Sequence, residues 1–227
     1  MVRPSRDGLE EAVAEDWRDT LETHKARYRE RIIDAAIELV AEEGVAKASM
    51  AALAQRAGIG RATVYKYFPD VEHALLAHVE REVDDCRAAL LAVHSREEDP
   101  VARLRGCIEA LLGYFASQRH RLSWVTLEQA DLSSAAVSRL RTLMTNLPQP
   151  FIETISTGID TGGLRGDLRP DVHGLLIFKM VVSLHDYLVS GALTQQDAAK
   201  TVWQLISEGV LPRESGHLTP VVSASSV

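Results

Sequence analysis

The residues best equipped for chemistry stand together in one short run, Arg61-Ala-Thr-Val-Tyr-Lys-Tyr67. Two cations and three hydroxyls in so few positions point to binding rather than bond breaking. Guanidinium, ammonium and hydroxyl groups pair with phosphate oxygens, while Ala62, the Thr63 methyl and a tyrosine ring suit the methyl group of a thymine. At about 100° per residue, Val64 and Phe68 share one helix face, Ala62 and Lys66 a second, and Thr63 and Tyr67 a third, with Arg61 and Tyr65 on the flank. The apolar face can pack inward and leave the others to a partner.

That helix needs a support, and the residues before it supply one. Ser49-Met-Ala-Ala-Leu-Ala-Gln-Arg-Ala-Gly58 reads as a second short helix. Ser49 is suited to the N-cap, where its hydroxyl accepts from a free backbone N–H. Leu53, Ala54 and Ala57 form an apolar face, and Gly58 stands where the chain must leave the helix at positive φ. Two short helices about a glycine turn, the second one cationic, form the pattern of a helix-turn-helix, whose second helix enters the major groove of DNA. An ordinary helical hairpin with a solvated polar face would share the spacing. The candidate DNA contacts are Lys47, Ser49, Gly60, Arg61, Ala62, Thr63, Tyr65, Lys66 and Tyr67. Upstream, residues 31–44 predict an amphipathic helix with Ile32, Ala36, Leu39 and Val40 on one face and Gly44 at its end. Downstream, Pro69 stops the recognition helix and Asp70 caps a helix bearing Glu72, Leu75 and Leu76.

With these flanks in place the resemblance becomes specific. Ile33-Asp-Ala-Ala-Ile-Glu-Leu-Val40, Glu43-Gly44, Leu53-Ala54, Ala57-Gly58-Ile59 and Thr63-Val-Tyr-Lys-Tyr-Phe68 resemble the DNA-binding domain of the tetracycline-repressor (TetR) family over residues 30–76. One departure stands out. Many members carry a polar side chain early in the first helix of the motif, where this chain has Ala51 between Met50 and Ala52, so base readout falls more heavily on the second helix. The resemblance implies an all-α regulator: a three-helix reading head, then a helical bundle that binds a small molecule and dimerises.

Composition alone does not point to DNA. The 227 residues carry a net charge of −7, yet residues 24–68 hold eight Lys and Arg against five Asp and Glu, a local +3 that leaves −10 for the rest. A basic head on an acidic body retains attraction to DNA while limiting non-specific binding. The sequence lacks a run of 18 apolar residues and a signal-peptide core, which predicts a cytoplasmic protein without a membrane partner. Cys86 and Cys107 form no CxxC unit and read as reduced thiols on helices.

The expected organisation is an N-terminal helical extension (1–28), the helix-turn-helix domain (29–76), a ligand-binding and dimerisation domain (77–212) and a mobile tail (213–227). The extension has acids first and bases last, which complements a helix dipole. It reads either as a phosphate-touching arm or as a surface helix running into the first domain helix, with Trp17 packing it down. In the body, helical segments are separated by punctuation at 95–100, 131–134, 147–150, 161–168 and 190–193. Residues 171–189 are apolar nearly all round except for Lys179, Ser183, Asp186 and Ser190, so this helix needs cover on two sides. The last helix opens on the capping box Thr194-Gln-Gln-Asp197. In the resembled family the last two helices form a four-helix dimer interface, for which Val181, Leu184, Leu188, Val202, Trp203 and Ile206 are the candidates here. Two-fold symmetry then implies a palindromic operator.

Candidates for lining a ligand site are Tyr114, Phe115, Trp124, Phe151, Phe178 and His185, although a lone histidine on an apolar face is more often a hydrogen-bonded core residue. The remaining histidines show no metal-ligand spacing, and no phosphate loop, nucleophile elbow or Cys–His grouping is visible. The sequence therefore predicts no enzyme, metal or cofactor. Its partners are double-stranded operator DNA, a second copy of the chain and an unidentified, mostly apolar small molecule that releases a repressor. A dimeric DNA-binding factor without an inducer and a helical-bundle enzyme using His185 remain the alternatives.

Overall fold

The computed structural model describes residues 6–118, 120 and 132–211, with side chains from residue 23 onward. Among the described residues the regular structure is helical, as the periodicity predicts. The helices are α1 (Arg6–Glu43), α2 (Met50–Ala57), α3 (Arg61–Tyr67), α4 (Val71–Arg96), α5 (Pro100–Ala116), α6 (Ser134–Leu143), α7 (Gln149–Asp160), α8 (Pro170–Val182), α9 (His185–Val189) and α10 (Gln195–Val210). They divide between two compact units, 1–85 with 118–145 and 86–117 with 146–227. The division falls inside α4 rather than at residue 76, and 118–145 groups with the reading head rather than with the body.

In the first unit α1 is continuous from Arg6, so the expected boundary at residue 28 lies within a helix. That is the arrangement of an extension running into the first domain helix; the Trp17 side chain, Trp124 and the tail 213–227 lie outside the described residues. Gly44, at φ +78°, ends α1. The core joins Ile32, Ile33, Ala36, Leu39 and Val40 of α1 to Leu53, Ala54 and Ala57 of α2, Val64 of α3, Phe68, and Val71, Ala74 and Leu75 of α4. The head is therefore one apolar cluster closed by small alanines. The N-terminus of α4 is fixed by Asp70, whose Oδ1 accepts from the His73 amide at 2.8 Å. α6 is tied to α4 through Glu72, which accepts from the Ser133 amide and hydroxyl, each at 2.7 Å, and through the Arg139–Glu80 ion pair at 2.8 Å.

The second unit packs α5, α7, α8, α9 and α10 around Leu104, Ile108, Leu111, Leu112, Phe151, Ile155, Phe178, Val181, Val202 and Ile206. Glycine permits its closest crossing. A Cβ on Gly174 of α8 would meet the Ile152 backbone of α7 at 2.7 Å (Cα) and 2.8 Å (N). After α7, Gly162 at φ +74° reverses the chain and the Leu164 amide donates to Gly158 O at 2.9 Å. Arg165 then secures the end of α10, its amide donating to Val210 O at 2.9 Å and its guanidinium to Gly209 O at 3.1 Å. Thr194 caps α10: its Oγ1 accepts from the Asp197 amide at 3.1 Å and donates to the Asp197 carboxylate at 2.7 Å, so the carboxylate of the expected box bonds the cap hydroxyl.

The segment expected as one helix over 171–189 is two, α8 and α9, separated by Ser183 and Leu184. Here the hydrogen-bond ladder tightens: the Ser183 amide still reaches back four residues to Lys179 O, whereas the Leu184 amide takes Val181 O three residues back. The Ser183 hydroxyl adds a bond to Met180 O at 2.7 Å, the side-chain back-bonding that bends helices. By length and composition residues 170–189 could cross a bilayer, but Ile177, Phe178, Val181, His185 and Leu188 are buried within the second unit.

Two stability measurements follow. Gly174→Ala drives a methyl group into the backbone of α7 and is expected to cost about 1–3 kcal/mol in chemical denaturation, as overpacking does. For Asp70, burial pushes the carboxyl up, but the His73 amide and ring prevail and hold it below the usual carboxylate range. A depressed folded pKa stabilises above the unfolded value and is lost as pH falls through the folded one. Asp70→Ala is thus expected to lower the melting temperature at pH 7, with the gap from wild type closing as the solution is made acidic.

Candidate nucleic-acid interface

The turn between α2 and α3 sets the geometry of the reading face. Ser49 has extended backbone and its Oγ accepts from the Ala52 amide at 3.2 Å, capping α2. At the other end Gly58 adopts φ +62°, ψ 37°. Its amide donates to Gln55 O and that of Ile59 to Ala54 O, each at 3.1 Å, the paired bonds of a Schellman motif. Arg31 braces this turn from α1, its Nη2 donating to Ala57 O at 2.5 Å and reaching Gly58 O at 3.4 Å. A second guanidinium locks α2 to α1: both terminal nitrogens of Arg56 donate to the Glu42 carboxylate, one at 2.7 Å. Hydrogen bonding to Arg56 holds Glu42 below the usual carboxylate range, against the opposing effect of desolvation.

From this mount α3 starts at Gly60, whose carbonyl accepts from the Thr63 and Val64 amides at 2.8 and 3.1 Å. Val64 is fully buried and Phe68 nearly so. Arg61, Ala62, Tyr65 and Lys66 are exposed, and so are Lys47, Ser49 and Gly60 beside them; Thr63 and Tyr67 are half-buried. Most of the candidate contacts are thus open to solvent. Tyr67 differs from the expected free face, because its ring packs partly against the head's core. The Arg61 guanidinium lies over the Tyr65 ring, 5.7 Å from its centroid.

Sequence reasoning missed that Arg31 and Arg56 serve the fold. Both were counted only as charge. Their partners lie 26 and 14 residues away on other helices, where helical periodicity carries no signal.

The candidate ligand residues of the second unit form two aromatic contacts rather than one. Phe115 meets the His185 ring edge-on with centroids 4.8 Å apart, and Phe151 meets Phe178 at 5.8 Å. All four are buried, with Tyr114 half-buried beside Phe115. The His185 Nδ1 lies 2.9 Å from Asp186 Oδ1, so this histidine has the polar partner of a core residue. Cys86 and Cys107 are both buried. Burial pushes the Cys107 thiol up to about 11, only partly opposed by its bond with Thr154, which keeps it protonated and a poor nucleophile at neutral pH. No group of three or more potential metal ligands is found among the described residues.

The candidate dimer residues are largely covered by the chain itself. Val181, Leu188, Val202 and Ile206 are buried in the chain's own core, and Leu184 and Trp203 are half-buried. On α8, α9 and α10 the large apolar side chains left in solvent are Leu175, Leu176, Tyr187 and Leu205, the last 67% exposed. A segment apolar on every side does not reveal from sequence which side its own chain covers.

A capped, braced helix-turn-helix among helices is the architecture of a DNA-binding module. Residues 32–77 match the family of bacterial regulatory proteins, tetR family, and residues 97–210 match the tetracyclin repressor-like C-terminal domain. The chain belongs to the TetR family. It is similar to the HTH-type transcriptional repressor KstR of Rhodococcus jostii, 33% identical over 75 residues that make up 33% of this chain and 32% of that protein. Its matches span between 32% and 60% of the curated relatives' lengths. The fold resembles a putative transcriptional regulator from Saccharomonospora viridis in complex with choline (TM-score 0.67, 20% identity, 83% of this chain and 100% of that one). It also resembles the regulator FadR from Bacillus subtilis in complex with stearoyl-CoA (TM-score 0.63, 18% identity, 79% and 97%).

The division of cations gives a test. Lys66→Ala is expected to flatten the dependence of log binding constant on log salt by about one unit, as loss of one phosphate contact does. Arg31→Gln should weaken DNA binding while leaving that slope unchanged, because its guanidinium is engaged by the turn carbonyls. Salt titrations followed by fluorescence anisotropy read both quantities.

Proposed function

We propose that this chain is a homodimeric repressor that binds a palindromic operator and is released by a small, mostly apolar ligand. The observation that carries the reading is α3 itself: Val64 and Phe68 are locked inward while Arg61, Ala62, Tyr65 and Lys66 are presented outward. Such a helix fits a major groove with its first turn at base edges and its last turn near the backbone.

The exposed Leu175, Leu176, Tyr187 and Leu205 support dimerisation through α8, α9 and α10, since large apolar side chains left in solvent favour burial by a partner. Two copies related by a two-fold axis would present two recognition helices to symmetric half-sites about one turn of DNA apart. The buried aromatic pairs Phe115–His185 and Phe151–Phe178 support an apolar ligand with one or two hydrogen-bonding groups. Choline and stearoyl-CoA differ greatly in size and charge, so likeness to the two solved structures favours a ligand-responsive regulator without choosing the ligand. Release would follow if the ligand prefers a dimer whose recognition helices no longer match the half-site spacing; DNA must then weaken the ligand by the same factor.

Light scattering is expected to give about twice the 25.0 kDa chain mass, and the double variant Leu176→Glu, Leu205→Glu to give monomers with at least ten-fold weaker operator binding. A thermal-shift screen of apolar metabolites should find a compound that raises the melting temperature and lowers operator affinity. A wild-type monomer with full affinity for a palindrome would overturn the dimer. Stabilising compounds that leave DNA affinity unchanged would favour a regulator without an inducer.

A further inference from the structure

We infer that Arg61, held by the Tyr65 ring, selects a guanine in each operator half-site, and that this pair is the main specificity determinant of the reading head. The inference rests on the proposal that α3 is the recognition helix and adds the base it reads.

Three observations converge. Arg61 is the first residue of α3, and the N-terminal residues of a recognition helix are those that meet base edges. Its guanidinium lies 5.7 Å from the centroid of the Tyr65 ring, one helical turn along, within the range of a cation–π contact. Both side chains are exposed, so the pair lies on the outward surface of the head. The contact restricts a long, flexible side chain before DNA arrives and lowers the entropy lost on binding. It leaves the N–H edge of a planar fork to be satisfied. In the major groove the acceptors matching that fork are O6 and N7 of guanine, two on one base edge.

The neighbours on α3 suit this role. Ala62 is exposed and carries only a methyl group, so the first turn can approach the bases closely. Lys66 is exposed in the last turn, where a compact, strongly hydrated ammonium serves a phosphate. The first helix of the motif offers little competition, since Met50, Ala51 and Ala52 carry no polar side chain. Tyr65 thereby acts chiefly by orienting Arg61, rather than by touching a thymine methyl.

The experiment uses the full chain. Random duplex DNA is selected against wild type, and the recovered duplex is resynthesised with the shared guanine replaced by 7-deazaguanine, which removes the N7 acceptor and keeps base pairing. Wild type is expected to select a guanine at a fixed position in each half-site and to lose about ten-fold in affinity on the deaza duplex, within the range of one bidentate contact. Arg61→Ala should bind both duplexes equally and select no base there. Tyr65→Phe keeps the ring and should keep the discrimination; Tyr65→Ala should lose most of it. Lys66→Ala should weaken binding to both duplexes alike. These substitutions lie in solvent, so unchanged melting temperatures separate loss of reading from loss of fold. An Arg61→Ala protein that still selects the same guanine overturns the inference, and full discrimination in Tyr65→Ala overturns the role of the ring. If folded wild type selects no sequence at all, the regulator reading itself fails.

Discussion

A left-handed residue at Gly58 and the guanidinium that braces it govern how this protein presents itself to DNA. The Schellman bonds of Gly58 and Ile59 fix the angle at which α2 hands the chain to α3, and Arg31 ties that corner to α1 through the carbonyl of Ala57. Hydrogen bonds made by a charged donor are roughly twice as strong as neutral ones, and the acceptors here include the last carbonyl of α2, where the helix dipole favours positive charge. A few degrees of freedom at this corner would swing the whole of α3. The burial of Val64 and the cap at Ser49 become useful only once the corner is rigid.

The basic character of the head consequently has two components. Some of its cations also serve the fold: Arg31 is engaged by backbone carbonyls and Arg56 by Glu42. Lys47, Arg61 and Lys66 are exposed around the reading face. The net +3 of residues 24–68 therefore does not say which cations DNA meets, because Arg56 is paired with Glu42 and Arg31 is held at the turn. What matters is where the exposed cations sit on a helix whose orientation the internal pairs maintain.

The sequence revealed most where the determinants are local. The cap at Ser49, the positive φ of Gly58, the inward Val64 and Phe68, the Asp70 cap and the Thr194 cap each depend on neighbours within a few positions, and each is present. It revealed least where a decision depends on distant packing. The bracing role of Arg31, the break at Ser183 and Leu184, and the covered face of α8–α9 all require knowledge of which helix lies alongside. Val181, Leu188, Val202 and Ile206 illustrate the difficulty: only the fold shows that they face their own core.

The sharing of α4 between the two units bears on how such regulators can be recombined. The boundary at Asp85 and Cys86 lies within an unbroken helix, and residues 118–145 group with the head although the intervening 86–117 group with the body. The head is thus discontinuous in sequence. A gene fusion that transplants residues 1–76 onto a foreign effector domain would leave behind both the rest of its α4 and α6, with the Ser133–Glu72 and Arg139–Glu80 links between them. Swapping specificity between relatives is therefore better done residue by residue on α3 than by exchanging whole domains.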